Sequence, residues 1–327
     1  MPARRKGRTE GLDPQKARTY PLKQRKNLVS VKDACGPIGP GMTVGSFMDS
    51  VPDILAGRDL KKIVAHICEA RRAGRPLVVA IGGHVIKVGL GPLICDLIDR
   101  GVVTAVAMNG AAAIHDLEMA LIGETSEDVA DGIEDGTFGM ANETGTAFAE
   151  ASLKAAKDGG GLGAALAEWL ISKGAPHAEV SILCRAARAN VPCTVHVSIG
   201  ADIVHMHPKM DGAATGKATM NDFHILTSVV GDLEGGVYIN LGSAALMPEV
   251  FLKALNLARN LGRTVRKFTT VNMDMIQHYR PRVNVVQRPT KTGGEGFALT
   301  GHHEIMFPLL AAAVLDGLGK NWRPIER

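Results

Sequence analysis

Aromatic residues are scarce in this chain. Phe, Tyr and Trp make up 4% of 327 residues, whereas 46% are hydrophobic and 38 are glycine. The core must therefore be built from small and aliphatic side chains, as in a doubly wound α/β protein. No interleaved aromatics offer a stacking platform for unpaired bases. Long apolar runs are missing as well. No stretch approaches the roughly 20 uninterrupted apolar residues of a membrane span, and the N-terminal segment lacks the apolar stretch of a secretory signal. Cysteine is sparse and odd in number: Cys35, Cys68, Cys95, Cys184 and Cys193 never form a CxxC pair. They read as reduced, buried thiols in a cytoplasmic protein rather than a disulfide framework. No internal repeat and no GxGxxG fingerprint is present.

Charge is unevenly placed. Residues 1–27 carry nine Lys/Arg against Glu10 and Asp13, a local +7 within a formal net charge of +4, so the remainder is about −3. The first 35 residues read as a basic, flexible N-terminal arm, either solvated or packed on a neighbouring subunit. A nucleic-acid partner is not expected, because the body has no basic patch. Residues 36–327 are long enough for a sizeable core and read as a single α/β domain.

The most telling stretch is 77–118. The apolar run Leu77–Ile81 breaks at Gly82-Gly83 and passes into helix ending near Asp99-Arg100. A second run, Val102–Met108, breaks at Asn109-Gly110 and enters another helix. Two successive strand–glycine–helix units predict parallel strands joined by crossovers, with their turns at the carboxyl edge of one mostly parallel, Rossmann-like sheet. Backbone N–H groups and helix N-termini at such an edge suit a dinucleotide pyrophosphate. Elsewhere the patterns predict helices over Val51–Ala73, Glu150–Lys173 (broken at Gly159-Gly160-Gly161), Val180–Ala189, Pro248–Asn260 and Met306–Leu318. Strands are expected over Val191–Ile199, Val237–Leu241 and Thr264–Val271. The acidic segment 121–150 reads as a loop or frayed helix, and 278–303 as active-site loops.

Several residues carry candidate chemistry. His115, just past the second glycine turn and followed by Asp116, is a possible acid/base group, since imidazole titrates near neutrality. The alternative is a histidine with only a local role in its helix. Asp202, His205, His207 and Asp211 form one polar cluster, and His302-His303-Glu304 another. HxH on a strand would put both rings on one face, so His205, His207, His302 and His303 form an alternative metal set. Lys291, in the glycine-rich RPTKTGGEG, is either a surface lysine or a nucleophile if its pKa is lowered.

The order LVVAIGGHVIKVGLGPLICDLIDRGVVTAVAMNGAAAIHDLEMALIG resembles deoxyhypusine synthase. The likeness continues through GMTVGSFMDSVPDILAGRDLKKIV, SILCRAARANVPCTVHVSIGADIVHMH, GGVYINLGSAALMPEVFLKA and HHEIMFPLLAAA, and covers most of residues 40–315. The resemblance implies that family's fold, NAD as cofactor and a homotetramer with cofactor sites at subunit interfaces. It also implies oxidation of spermidine, followed by transfer of the aminobutyl group through an imine on an enzyme lysine. Carried over by position, Gly83 and His84 fall at the first NAD turn, and Asn109, Gly110 and Ala111 at the second. Gly242, Ser243 and Ala244 stand at a glycine triplet near the cofactor, Thr270 and Asn272 near a further contact segment, and Asp202 at the acid that holds the polyamine.

The departures from that pattern are equally specific. His115 replaces the family's catalytic glutamate, Met247-Pro248 replaces a Lys-His pair, and the Trp-Gly-Lys that supplies the imine lysine has no match. Lys291 is the nearest lysine, offset by about two residues. The expectation is an NAD-dependent enzyme acting on a polyamine or related amine, transferring an aminoalkyl group to an acceptor other than the usual protein lysine. His115 would be the base, Asp116 and Asp202 the charge partners and Lys291 the candidate nucleophile. A metal-dependent enzyme on the same scaffold and a catalytically silent, regulatory paralogue are the alternatives.

Overall fold

The computed structural model describes residues 11–325; the first ten residues of the basic arm lie outside them. Residues 11–35 form only short 3-10 turns at Pro14–Lys16, Leu22–Gln24 and Val31–Asp33, none with a buried side chain.

Strands β1 (Leu77–Ile81), β2 (Ala105–Asn109), β3 (Cys193–His196), β4 (Val237–Leu241), β5 (Thr269–Asp274) and β6 (Glu295–Thr300) form one sheet. All neighbours are parallel, and the spatial order is β3-β2-β1-β4-β5-β6. Successive side chains of a strand point to opposite faces, and the two cores divide accordingly. Val79 and Ile81 belong to one, Val78 and Ala80 to the other. Every residue of β1 and β4 is buried, as strands covered on both faces require.

The first core is closed by α2 (Leu55–Arg72), α4 (Gly91–Asp99), α5 (Gly110–Ile122), α8 (Leu162–Ser172), α9 (Ile182–Arg188) and α13 (His303–Leu318), through residues such as Ile63, Ile94, Leu117, Leu166, Leu183 and Phe307. The second is closed by α10 (Gly212–Gly231) and α11 (Leu246–Asn260), where Phe251 stacks on Tyr238 at 3.7 Å between ring centroids. The short helices α1 (Val44–Ser50), α3 (Gly83–Lys87), α6 (Val129–Asp135) and α12 (Tyr279–Pro281), with the longer α7 (Asn142–Asp158), complete the chain. Among the described residues no helix is long and apolar enough to cross a membrane.

Three differences from the sequence expectation have physical causes. The helix after β1 is split into α3 and α4 because Gly89 adopts φ +78°, a left-handed turn that ends the first segment. The segment 278–303 is not all loop. A π-helical stretch, Arg282–Gln287, follows α12, and β6 then joins the sheet with only Phe297 and Leu299 turned inward. An edge strand with two large apolar residues gives little periodic signal. Helix α10 escaped notice for a related reason, since its buried side includes Ala214, Thr215, Ala218, Asn221 and Asp222 rather than a stripe of leucines.

Asp222 holds several of these elements together. Its Oδ2 accepts hydrogen bonds from the Gly163 N–H at the start of α8 and from the Val195 N–H of β3, both at 2.8 Å. Burial outweighs these bonds and pushes its carboxyl up to about 7. A folded-state value above that of the unfolded chain means the native protein binds the proton more tightly. The resulting stabilisation is complete at pH below about 4 and is lost as pH rises through about 7. Buried His196, pushed down to about 3, contributes the opposite slope below its ordinary value, but it is common to wild type and variant. Relative to wild type, Asp222→Asn should therefore gain stability as pH rises from about 4 to about 7 and level off above that. Thermal melts across that range check this, and parallel melting curves would contradict it.

Candidate functional site

Because all six strands run the same way, the turns that follow them collect at one edge of the sheet. The strand order reverses between β1 and β4, and there the two turns touch. The Gly82 N–H donates to the Leu241 carbonyl at 3.1 Å. A Cβ on Gly82 would lie 2.2 Å from the Gly242 carbonyl oxygen, so no side chain is tolerated.

On the β4-β5-β6 side, a polar row crosses the strand ends. Asn240 Nδ2 donates to Asn272 Oδ1 at 2.7 Å and to the Ser243 carbonyl at 2.9 Å. Asn272 Nδ2 donates to Gln277 Oε1, whose amide reaches the Leu299 carbonyl. His84 and His303 meet edge-to-face, 5.4 Å between centroids. His303 is buried, with Nε2 3.3 Å from the Met273 carbonyl and 3.7 Å from Asp274 Oδ1. Burial pulls its imidazole below the ordinary value, with Asp274 pulling the other way. Among the described residues, Asn240 Oδ1 and His303 Nδ1 are buried without a hydrogen-bond partner.

On the β2-β3 side lies a cavity of about 160 Å³. Its walls are Ala111, Ile114, Val129, Phe138 and Ile203, and its polar lining includes Lys87, His115, Glu118, Glu127 and Asp202. Helix α5 begins where the Asn109 side chain accepts from the Ala112 N–H at 2.8 Å, and its first turns present His115 and Glu118 one above the other. His115 Nδ1 is 2.7 Å from Thr125 Oγ1, which donates to Glu118 Oε2 at 2.5 Å. Thr144 donates to the other Glu118 oxygen at 3.1 Å. Burial alone would raise the Glu118 carboxyl, but the neighbouring His115 and the hydrogen bonds from Thr125 and Thr144 outweigh it and hold the carboxyl below its ordinary value. The direct His115–Glu118 separation is 3.7 Å, too long for a hydrogen bond, so their contact runs through the Thr125 hydroxyl.

The first glycine turn borders this cavity. A Cβ on Gly83 would meet Ala111 Cβ and His115 Cδ2, each at 3.1 Å. Asp202 packs on the second turn: a Cβ on Gly110 would fall 2.1 Å from its carboxylate. Asp202 accepts from the Ser198 N–H at 2.7 Å, and burial raises its carboxyl.

The sheet thus gathers Gly83, His84, Asn109, Gly110, Ala111, His115, Asp202, Gly242, Ser243, Ala244 and Asn272 at one edge. Other expected residues stand elsewhere. Thr270 is buried within β5, where its hydroxyl donates to the Val285 carbonyl. Asp116 points inward, 1% exposed, and accepts from Ser181 Oγ at 2.6 Å and from the N–H groups of Ile182 and Leu183. It secures the start of α9 and is no charge partner for a ligand. Lys291 precedes β6 and is exposed, which puts it at the amino edge. The strand's five steps of 3.3–3.4 Å, roughly 17 Å, separate that edge from the turns.

The HxH motif is not on a strand. After His196 the chain leaves the sheet and forms a 3-10 turn at Ile203–Met206. His205 Nδ1 bonds the Asp202 carbonyl, and His207 packs over Gly145 of α7. His302 is largely exposed. Among the described residues no three His, Cys, Asp or Glu side chains gather closely enough to hold a metal ion. Sequence reasoning passed over Glu118, Thr125, Lys87 and Asp274. The three-residue spacing of His115 and Glu118 on one helix was the available signal for the first.

No family model and no curated protein matches the chain. Solved structures do. The ternary complex of AgrE with ornithine and NAD+ aligns at TM-score 0.50 and 15% identity over 81% of this chain. The match covers 34% of AgrE, so the chain spans about a third of that protein. A conserved LOR/SDH-type protein from Methanococcus maripaludis S2 aligns at TM-score 0.49 and 17% identity, covering 85% of this chain and 73% of the other. An Entamoeba histolytica protein named for deoxyhypusine synthase aligns at TM-score 0.49 and 11% identity, covering 84% and 93%. Likeness at such identities is likeness of fold.

The inward role of Asp116 is directly testable. Asp116→Ala leaves the Ser181 hydroxyl and two buried N–H groups without their acceptor, and should cost about 3 kcal/mol of unfolding free energy. Chemical denaturation measures this, and a loss under about 0.5 kcal/mol, as at an ordinary surface site, would contradict it.

Proposed function

We propose that this chain is an NAD-dependent enzyme acting on a small aliphatic amine, with His115 as its base. The observation that carries the reading is the reversal of strand order between β1 and β4. It brings two glycine turns into contact beside the cavity that holds His115, Glu118 and Asp202. In open parallel sheets dinucleotides bind across this crevice, and the order β3-β2-β1-β4-β5-β6 is that of dinucleotide-binding folds. AgrE, which shares the fold, is described with ornithine and NAD+.

The residues present fit a dinucleotide. Gly83, Ala111, Gly242 and Ala244 are partly exposed at the turns and offer backbone that a ligand can approach, whereas Gly110 is covered by Asp202. The buried Asn240 Oδ1 and His303 Nδ1 add an acceptor and a ring nitrogen without partners. The usual acid at the end of β2 is Asn109 here, committed to capping α5, so any ribose contact is made differently. When bound, NAD supplies a hydride acceptor for the carbon next to nitrogen.

The chain's own residues do the rest. Glu118, Glu127 and Asp202 outnumber Lys87 around an otherwise apolar cavity, a lining that attracts an alkylammonium ion. His115 takes a proton from that ammonium, freeing the nitrogen lone pair that must enter the forming C=N bond. The carboxylates then stabilise the substrate iminium. In this reading a second amine attacks the iminium carbon, and the bond to the first amine breaks as His115 returns its proton to that leaving amine. The hydride removed in the oxidation then returns to the new C=N carbon, so the aminoalkyl group is transferred without an enzyme lysine at position 291. Residues 36–327 act as one catalytic unit in the cytoplasm. The exposed Met275, Ile276, Tyr279 and Ile305 beside the crevice are covered by another copy in a homotetramer.

Two measurements test the reading. NAD at a hundredfold excess over Kd should stabilise the protein by about 2.7 kcal/mol, seen as a rise in thermal midpoint that Gly83→Val removes. NADH should form with at least one member of a polyamine and diamine panel, and His115→Gln should lower kcat/KM by about 10²–10⁴. No shift with millimolar NAD would overturn the cofactor assignment, whereas a shift without turnover would point to a silent subunit. Sedimentation well above 34.5 kDa is expected, and a clean monomer would remove the shared interface.

A further inference from the structure

We infer that Thr125 is a positioning residue: its hydroxyl fixes His115 in the tautomer with the proton on Nδ1, leaving Nε2 as the bare base. The inference rests on the assignment of His115 as base and is argued from the hydrogen bonds around it. A threonine hydroxyl has one proton and two lone pairs. Glu118 is a carboxylate held below its ordinary pKa, so it can only accept, and the Thr125 proton goes to Glu118 Oε2 at 2.5 Å. The other Glu118 oxygen is already engaged by Thr144 at 3.1 Å. With its proton committed, Thr125 Oγ1 must accept at its 2.7 Å contact with His115 Nδ1. That nitrogen therefore carries the hydrogen.

A neutral imidazole with a proton on Nδ1 has its lone pair on Nε2. Nε2 adjoins Cδ2, the atom that faces Gly83, and it makes no hydrogen bond among the described residues. The base is thus turned toward the first glycine turn and away from Glu118. When Nε2 takes up a proton, the positive charge forms 3.7 Å from the Glu118 carboxylate, which a hydroxyl links to the ring without occupying its basic nitrogen.

The placement of Thr125 adds a second consequence. It lies at the start of the segment between α5 and α7, which contributes Ser126, Glu127, Val129 and Phe138 to the cavity wall. None of the residues of α6 in that segment is buried. The hydroxyl that sets the histidine tautomer therefore also fastens the cavity's outer wall to α5.

The test needs neither NAD nor amine, so its outcome is independent of the proposed reaction. In full-length protein labelled with 15N-histidine, His115 is assigned by loss of its signals in His115→Gln. Its ring should show a protonated Nδ1 and an unprotonated Nε2 at a pH where it is neutral. Thr125→Ser should keep that pattern. Thr125→Val, equal in shape but without the hydroxyl, should lose the Nδ1-protonated state as the dominant form while circular dichroism and thermal midpoint show a folded protein. If Thr125→Val does not fold, the wild-type tautomer and the serine variant still decide. A proton on Nε2 in wild type, a changed tautomer in Thr125→Ser, or an unchanged one in folded Thr125→Val would each overturn the inference.

Discussion

The contact between Gly82 and Gly242 is the constraint on which the site depends. It is a backbone-to-backbone approach at the one place where the strand order reverses, and no side chain fits between the two turns. With β1 and β4 locked at this spacing, the polar row over β4-β5-β6 and the cavity over β2-β3 lie on either side of the two turns. The pairing of Ile81 with Leu241 places both strand ends level, so the turns meet instead of overlapping. Widening this contact would separate His84, after β1, from His303, after β6.

Four acidic residues show how location decides role. Asp116 and Asp222 are almost fully buried, accept mainly from backbone N–H groups, and bind the starts of α9 and α8 to their neighbours. Burial raises both carboxyls, Asp116 to about 6 and Asp222 to about 7, yet neither faces the cavity. A perturbed carboxyl is thus no marker of the site in this fold. Glu118 and Asp202 lie at the edge, less deeply buried, and line the cavity with His115. Helix α5 carries one of each kind two residues apart, facing opposite directions, because residues so spaced on a helix do not share a face.

Much of the architecture could be read from the chain. β1 and β4 appear with the expected bounds, Leu77–Ile81 and Val237–Leu241, because buried central strands are unbroken apolar runs ended by glycine. The glycine turns could be placed at the carboxyl edge for the same reason. What escaped was whatever depends on partners distant in sequence. Asp116 and Glu118 are both acids near His115, and only the position of Ser181 and the backbone of Ile182 and Leu183 reveals which one faces inward. Thr125 lies in a stretch without periodicity, so nothing in the sequence pairs it with His115. The HxH reading failed because it presumed a strand where the chain had already turned away after His196.

Lys291 is set apart from the turns by β6, an edge strand with little periodic signal. If 278–303 were one loop, Lys291, His302 and His303 could all reach a common site. Once Glu295–Thr300 is a parallel strand, the residues before it and after it must stand on opposite edges of the sheet. A strand of this length cannot be folded away by side-chain movement, since a lysine spans less than half the distance between the two edges. Within one chain, Lys291 therefore stands away from the edge that carries the glycine turns. The proton step retains every group it needs: an imidazole, a hydroxyl that orients it and a carboxylate that balances its charge, all anchored on α5 and the segment that follows it. In the proposed reading the acid/base half of the chemistry rests on groups gathered at this edge, whereas Lys291 stands at the opposite one.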